Sequence, residues 1–176
     1  MIIIPGFVIS ALTFPGIIIH EIAHRFFADL AGVPVYAVKY YQFDFGGKAG
    51  YVIHGQPTNL KDSLLISVGP LLVNTLLCSL LTFVAFPMFL LSKNPLVALP
   101  LVWIGLSSGM HAFPSNHDMD VLVAETKRLH KSTPLNLLAL LFSWLFKIVN
   151  LLQFFWFDAI YAIFVALALP MLFRLT

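Results

Sequence analysis

Charge is what this chain has least of. Asp, Glu, Lys and Arg together supply 10% of its 176 residues, and the only glutamates are Glu21 and Glu125. A soluble domain carries about 25% charged residues, so this chain has too few to solvate a surface of its own. The single cysteine, Cys78, excludes an internal disulfide framework, and its apolar neighbours are those of an ordinary buried thiol. A net charge of +2, with Lys and Arg spread over loops, suits orientation in a bilayer and gives no surface for nucleic acid. Neither a repeat nor a low-complexity linker interrupts residues 1–176, which predicts one domain.

Hydrocarbon is what the chain has in excess. Hydrophobic residues make up 60% of it, 17 of them Phe, and the mean hydropathy is +0.93. The expected class is an all-α polytopic membrane protein with four to five transmembrane helices and the lipid bilayer as a partner. Residues 2–30 would reach about 40 Å as one helix, more than a bilayer core needs, and Pro5 and Pro15-Gly16 are expected to kink or interrupt it. No basic region precedes it, so it reads as a retained membrane segment. Further spans are expected at residues 64–91 and 96–111. The tract 135–173 holds two shorter helices, or one interfacial helix and one span, with Lys147, Asn150, Gln153 and Asp158 marking its polar middle.

Between the first two spans the pattern changes. Tyr41, Phe43 and Phe45 alternate with Gln42 and Asp44, and residues 46–50 separate them from the β-rich run Tyr51, Val52, Ile53, His54. This predicts a small β-hairpin whose edge either accepts an extended peptide or only caps the helices. With five spans, Lys39, Lys48, Lys61, Lys127, Arg128, Lys131 and Arg174 fall on one face, and Lys93 and Lys147 on the other. The richer face is cytoplasmic by the distribution of positive charge, and with four spans only the C-terminus changes sides.

Inside the first span stands "GIIIHEIAHRFF", residues 16–27. Ionisable groups are expensive at membrane depth and mark function by default. His20 and His24 are four apart, one above the other on a helix, and Glu21 is adjacent. This is H-E-x-x-H. Such spacing suits Zn²⁺ held by two neutral imidazoles, a third protein ligand and a water whose pKa falls toward ~7, with Glu21 as the proton acceptor. A regular helix to Leu30 places the metal roughly 10 Å inside the cytoplasmic edge.

The third ligand must come from elsewhere, because Phe27 and Leu30 stand where the metzincin extension needs Gly and His. The richest polar cluster, "GMHAFPSNHDMD" at residues 109–120, emerges on the same side. A helix beginning after Ser115 would put Asp118 on a stripe with Leu122 and Glu125, and Asp120 on a solvent stripe with Lys127 and Lys131. That favours Asp118 and leaves Asp120 open, while Ser115 and Asp118 also have capping-box spacing. His111 and His117 are further candidates as ligands or as partners of ligands. His54 closes a strand and is either structural or at the cleft rim, Glu125 is expected to pair with Lys or Arg, and Asn74 either positions substrate backbone or bonds between helices.

Together "HEIAH", "GPLLVN" (residues 69–74) and the Pro-Ser-Asn-His-Asp run resemble the site-2 protease family of intramembrane zinc metalloproteases, over most of residues 15–125 and little of the C-terminal third. The resemblance implies peptide-bond hydrolysis within or beside the bilayer, on transmembrane or membrane-associated protein substrates. It also implies two histidines and an aspartate on zinc and the motif glutamate as base. The family's aspartate falls five residues after a proline, whereas Asp118 is four and Asp120 six after Pro114. With no PDZ or CBS module, the chain looks like a minimal, divergent member. The alternative is a catalytically silent membrane chaperone or binding protein that keeps the bundle. A di-iron oxygenase would need more histidines than the six present.

The orientation is testable in a variant with Cys78 replaced. A cysteine placed within residues 46–50 or beside Lys127 should react with membrane-impermeant reagent only after the cytoplasmic face is opened. Labelling of intact cells from outside would invert the assignment.

Overall fold

The computed structural model describes residues 5–43, 49–91, 95–129 and 133–173. Its elements, in chain order, are α1 (Gly6–Leu12), α2 (Phe14–Leu30), β1 (Val35–Lys39), β2 (Tyr51–His54), α3 (Leu60–Leu91), α4 (Leu99–Met110), α5 (Asn116–Arg128), α6 (Pro134–Leu152) and α7 (Phe157–Leu172), with short 3₁₀ turns at Pro95–Ala98 and Gln153–Phe155. The protein is mostly helical, with one small two-stranded sheet, as expected.

At the centre lies α3, in contact with α2, α4, α5, α6 and α7. Its sidedness is the reverse of a soluble helix. Leu72, Leu76, Leu80 and Val84 form an exposed stripe, Leu72 at 62%, while Ser63, Ser67, Asn74 and Thr82 are buried. Lipid is as apolar as leucine, so nothing drives leucine inward, and helices associate through small and polar side chains. Thr82 Oγ1 donates to the carbonyls of Cys78 at 2.7 Å and Ala166 at 3.1 Å, Thr75 and Tyr161 share a hydrogen bond of 2.7 Å, and Cys78 is a buried thiol.

The number of full spans differs from the sequence reading. Among the described residues two helices are long and apolar enough to cross a membrane, Leu60–Leu91 and Pro134–Phe155, or three if α1 and α2 count as one bent span. Leu96–Met110 and Phe157–Leu172 are apolar but shorter. Length is the reason: a 30 Å core takes about 20 helical residues, and each of these apolar tracts is cut short by a turn. The break in 135–173 comes at Trp156, in the left-handed conformation at φ 62°, which neither glycine nor proline announces.

One break also replaces the two expected kinks in the first span. It lies at Thr13, where α1 and α2 meet at 82°, while Pro5 precedes α1 and Pro15 sits in the first turn of α2. Pro15 has no N–H to continue the helix from α1. Polar groups hold the break: Thr13 Oγ1 donates to the Ile9 carbonyl at 2.7 Å and accepts from His111 Nε2 at 2.7 Å, and Trp103 Nε1 donates to the Leu12 carbonyl at 2.8 Å.

β1 pairs antiparallel with β2, Lys39 opposite Tyr51 and Val38 opposite Val52, with an irregularity between Val35 and Ala37. The first strand is therefore earlier than the alternating run 41–45. Tyr41 and Phe43 pack instead against Phe14 and Phe7, with ring centroids at 5.6 and 6.0 Å, so the elbow between α1 and α2 takes the aromatics that the pattern offered to a strand. Phe45, Gly46 and Lys48 of the expected hairpin lie outside the described residues, as do Lys93, Lys131 and Arg174.

Two glycines set how closely α2 is packed. A Cβ on Gly16 would lie 1.9 Å from the Ser107 carbonyl oxygen, and one on Gly69 would lie 2.0 Å from the Phe27 ring. Backbone at Ser107 has nowhere to yield. Gly16→Ala should lower the thermal stability of the detergent-purified protein by at least about 1–3 kcal/mol, the range for overpacking a tight core; an unchanged melting midpoint would show that the α2–α4 crossing is loose.

Candidate metal centre

Four ionisable side chains from two helices converge here. α2 carries His20, Glu21 and His24, all buried, and α5 carries Asp118. The ligand atoms of His20, His24 and Asp118 lie within 4.8 Å of one another, the one such group among the described residues.

Backbone carbonyls fix the two imidazoles. His20 Nδ1 is 2.7 Å from the His111 carbonyl oxygen and His24 Nδ1 is 2.9 Å from that of Ile66. Carbonyls only accept, so each Nδ1 carries its proton and each neutral ring keeps an Nε2 lone pair. Those two Nε2 atoms face each other at 3.0 Å. Two lone pairs at that distance repel unless a cation or a proton lies between them, and a carboxylate adds to the demand: Asp118 Oδ2 is 3.5 Å from His24 Nε2. The donor set of two imidazoles and one carboxylate fits a divalent metal ion.

Asp118 is held by its own helix. Ser115 N and Ser115 Oγ each donate to Asp118 Oδ2 at 2.7 Å, and Asp118 N donates back to Ser115 Oγ at 3.2 Å. The carboxylate that closes the capping box is thus the same one that lies in the His20–His24 group. Burial works to raise the Asp118 pKa, and the Ser115 donors, which hydrogen-bond the charged form, work to lower it.

Glu21 lies outside the ligand group yet lines the same cavity, of about 760 Å³, together with His20, His24, Asp118 and the run Gly50 to His54 of the sheet. Backbone crosses directly over it: a Cβ on Gly50 would come within 2.8 Å of Glu21 Cγ. Gly50 carries no motif that would have identified it. The two orienting carbonyls are equally silent, since every residue has one.

The remaining candidates separate. Asp120 is exposed and pairs with Lys147 at 2.6 Å, so Lys147 belongs beside α5, not on the opposite face as the charge count had it. Its neighbour on α6, Asn150, donates to the Pro114 carbonyl at 3.0 Å. His111 contributes its carbonyl to His20, and its ring goes to Thr13. His54 and His117 line the cavity but stand outside the ligand group. Glu125 pairs with Arg128, Nε to Oε2 at 2.7 Å. Asn74 is fully buried and bonded to backbone carbonyls, the interhelical role and not contact with a substrate.

Comparison of the chain with protein-family models, curated proteins and solved structures returns no match.

Asp118→Ala should yield folded protein with little metal, and Asp120→Ala should keep its metal, by elemental analysis of the purified chains. Loss of the cap alone amounts to about 1 kcal/mol and would leave the metal in place. Retention in Asp118→Ala would thus reduce Asp118 to a cap.

Proposed function

We propose that this chain is an intramembrane zinc metalloendopeptidase, hydrolysing peptide bonds in membrane-embedded or juxtamembrane segments of other proteins. The observation that carries the reading is the convergence of a His-His-Asp ligand set and a separate buried glutamate on one cavity bordered by a β-strand. Tetrahedral zinc with Zn–N of 2.0–2.1 Å sets its ligand atoms about 3.3 Å apart, and the distances here, 3.0 and 3.5 Å, straddle that value. The likeness of "HEIAH" and "GPLLVN" to site-2 proteases points the same way.

When bound, zinc supplies Lewis acidity, making a water molecule acidic near neutral pH and polarising a carbonyl. The chain's own residues do the rest. His20, His24 and Asp118 hold the ion. Glu21, free of the metal, takes the water's proton and returns it to the departing amine nitrogen. Burial of the site restricts bulk water, while Asn116, His117, Asn150 and Gln153 give the cavity a polar wall.

A helical substrate hides its carbonyls in its own hydrogen bonds and must unwind before one is attacked. β2 offers the replacement, since an extended segment added at its edge exchanges internal hydrogen bonds for ladder bonds beside Glu21. Lys39, Lys61, Lys127 and Arg128 flank the sheet, α3 and α5, which supports a site near the cytoplasmic face of a multi-pass protein.

The test is a pair of measurements on the protein reconstituted in liposomes with a panel of single-span membrane proteins. The parent should contain one zinc per chain and cleave at least one panel member. Glu21→Gln should keep the zinc and lose cleavage by a factor of 10² or more, the scale of a lost general base. Loss of metal in Glu21→Gln would make Glu21 a ligand. A parent that binds no metal would favour the silent chaperone.

A further inference from the structure

The segment Gly-Pro-Leu-Leu-Val-Asn, residues 69–74, lies within α3 and lines none of the cavity. A proline in the middle of a 32-residue helix calls for a reason. Pro70 has no N–H, so the carbonyl four residues earlier, that of Ile66, has no helical donor, and the pyrrolidine ring pushes that carbonyl away from the helix axis. Ile66 and Pro70 are both buried, where an unpaired carbonyl is destabilising. The donor that reaches this oxygen is His24 Nδ1, at 2.9 Å. Gly69 beside it leaves room for the Phe27 ring of α2 against α3, which brings the two helices together at that turn.

One turn further along α3, Asn74 directs its amide nitrogen to three carbonyls: His111 at 2.9 Å, and Gly16 and Ser108 at 3.2 Å each. The His111 oxygen is the one that accepts from His20 Nδ1. His111 follows the last turn of α4, where carbonyls have no helical partner to fix their direction. Asn74 supplies that direction. α2 and α3 run antiparallel here, so Ile66 meets His24 and Asn74 meets the turn of α2 that begins at Gly16 and ends at His20.

We infer that Pro70 and Asn74 are positioning residues of the metal centre, Pro70 by freeing the carbonyl that orients His24 and Asn74 by fixing the carbonyl that orients His20. The inference rests on the metal reading above and extends it to a pair of residues that touch neither metal nor substrate. Each leaves a distinct trace. Pro70→Ala restores an N–H that competes with His24 for the Ile66 carbonyl, and it replaces a helix breaker by the best helix former. Asn74→Leu keeps the volume and strands no acceptor: the Gly16 oxygen has its helical donor, the Ser108 oxygen accepts from His111 N at 3.1 Å, and the His111 oxygen keeps His20.

The experiment titrates Co²⁺ into the full chain in detergent, followed by the visible absorption of the bound ion, and records ring ¹⁵N spectra of the histidines. Pro70→Ala and Asn74→Leu should each weaken Co²⁺ binding about tenfold or more, as loss of an outer partner of a ligating histidine does. The double variant should bind Co²⁺ more weakly than either single one, and because both histidines serve one ion the two losses need not multiply. The Nδ1 proton of His24 should move upfield in Pro70→Ala alone, and that of His20 in Asn74→Leu alone. Thr75→Val, which removes the bond to Tyr161 on the same helix, should leave Co²⁺ affinity at the parent value. Pro70→Ala is expected to melt no lower than the parent, the opposite of what a purely structural role gives. Parent-like Co²⁺ affinity in either variant overturns the inference, as does an equal loss in Thr75→Val. Failure of the parent itself to bind Co²⁺ would instead remove the metal reading.

Discussion

Two imidazoles buried in an interior of hydrocarbon must each place a ring N–H and a ring lone pair, and the architecture around α2 follows from that demand. Each N–H is answered by a carbonyl from another helix, Ile66 in α3 and His111 at the end of α4. Each lone pair is then left facing the other across 3.0 Å. Hence α2 must sit close to both neighbours, and Gly16 and Gly69 remove the side chains that would hold it off.

Close approach is also what holds such a bundle together. In a lipid surrounding, apolar contact inside would bring little advantage, and association would fall to tight backbone contact and to hydrogen bonds such as Thr82 to Ala166 and Thr75 to Tyr161. The same economy of polar groups puts Asn74 where three chain segments meet. Polar residues in the described interior are therefore few and multiply employed: Ser115 caps α5 and orients Asp118, and His111 serves through both its ring and its carbonyl.

The sequence was most legible where a side chain and a regular helix suffice. His20, Glu21 and His24 follow from a spacing of four, and Asp118 over Asp120 follows from which stripe of α5 faces the bundle. Ser115 was readable as a cap because capping depends on local spacing. Legibility failed where the partner was backbone or the turn lacked a marker. Nothing about Ile66 or His111 as residue types announces a carbonyl aimed at a histidine, although a proline four residues after Ile66 is a signal that can be read in retrospect. Trp156 bends the chain without glycine, and the aromatic alternation at Tyr41 and Phe43 serves packing on Phe14 and Phe7. Span number failed for another reason: apolarity says that a tract tolerates lipid, whereas crossing is a matter of unbroken length.

The capping box at Ser115 has a kinetic side. The carboxylate that approaches His24 is also the group that closes the first turn of α5, so its orientation is settled before any ion arrives, and capture of an ion requires little further ordering of that ligand. The converse holds for departure. Helix termini fray far more readily than a domain unfolds, and fraying of this one turn withdraws Asp118 while α2 keeps both histidines in place. An ion held at this centre would therefore be released by the opening of a single helical turn, without unfolding of the bundle.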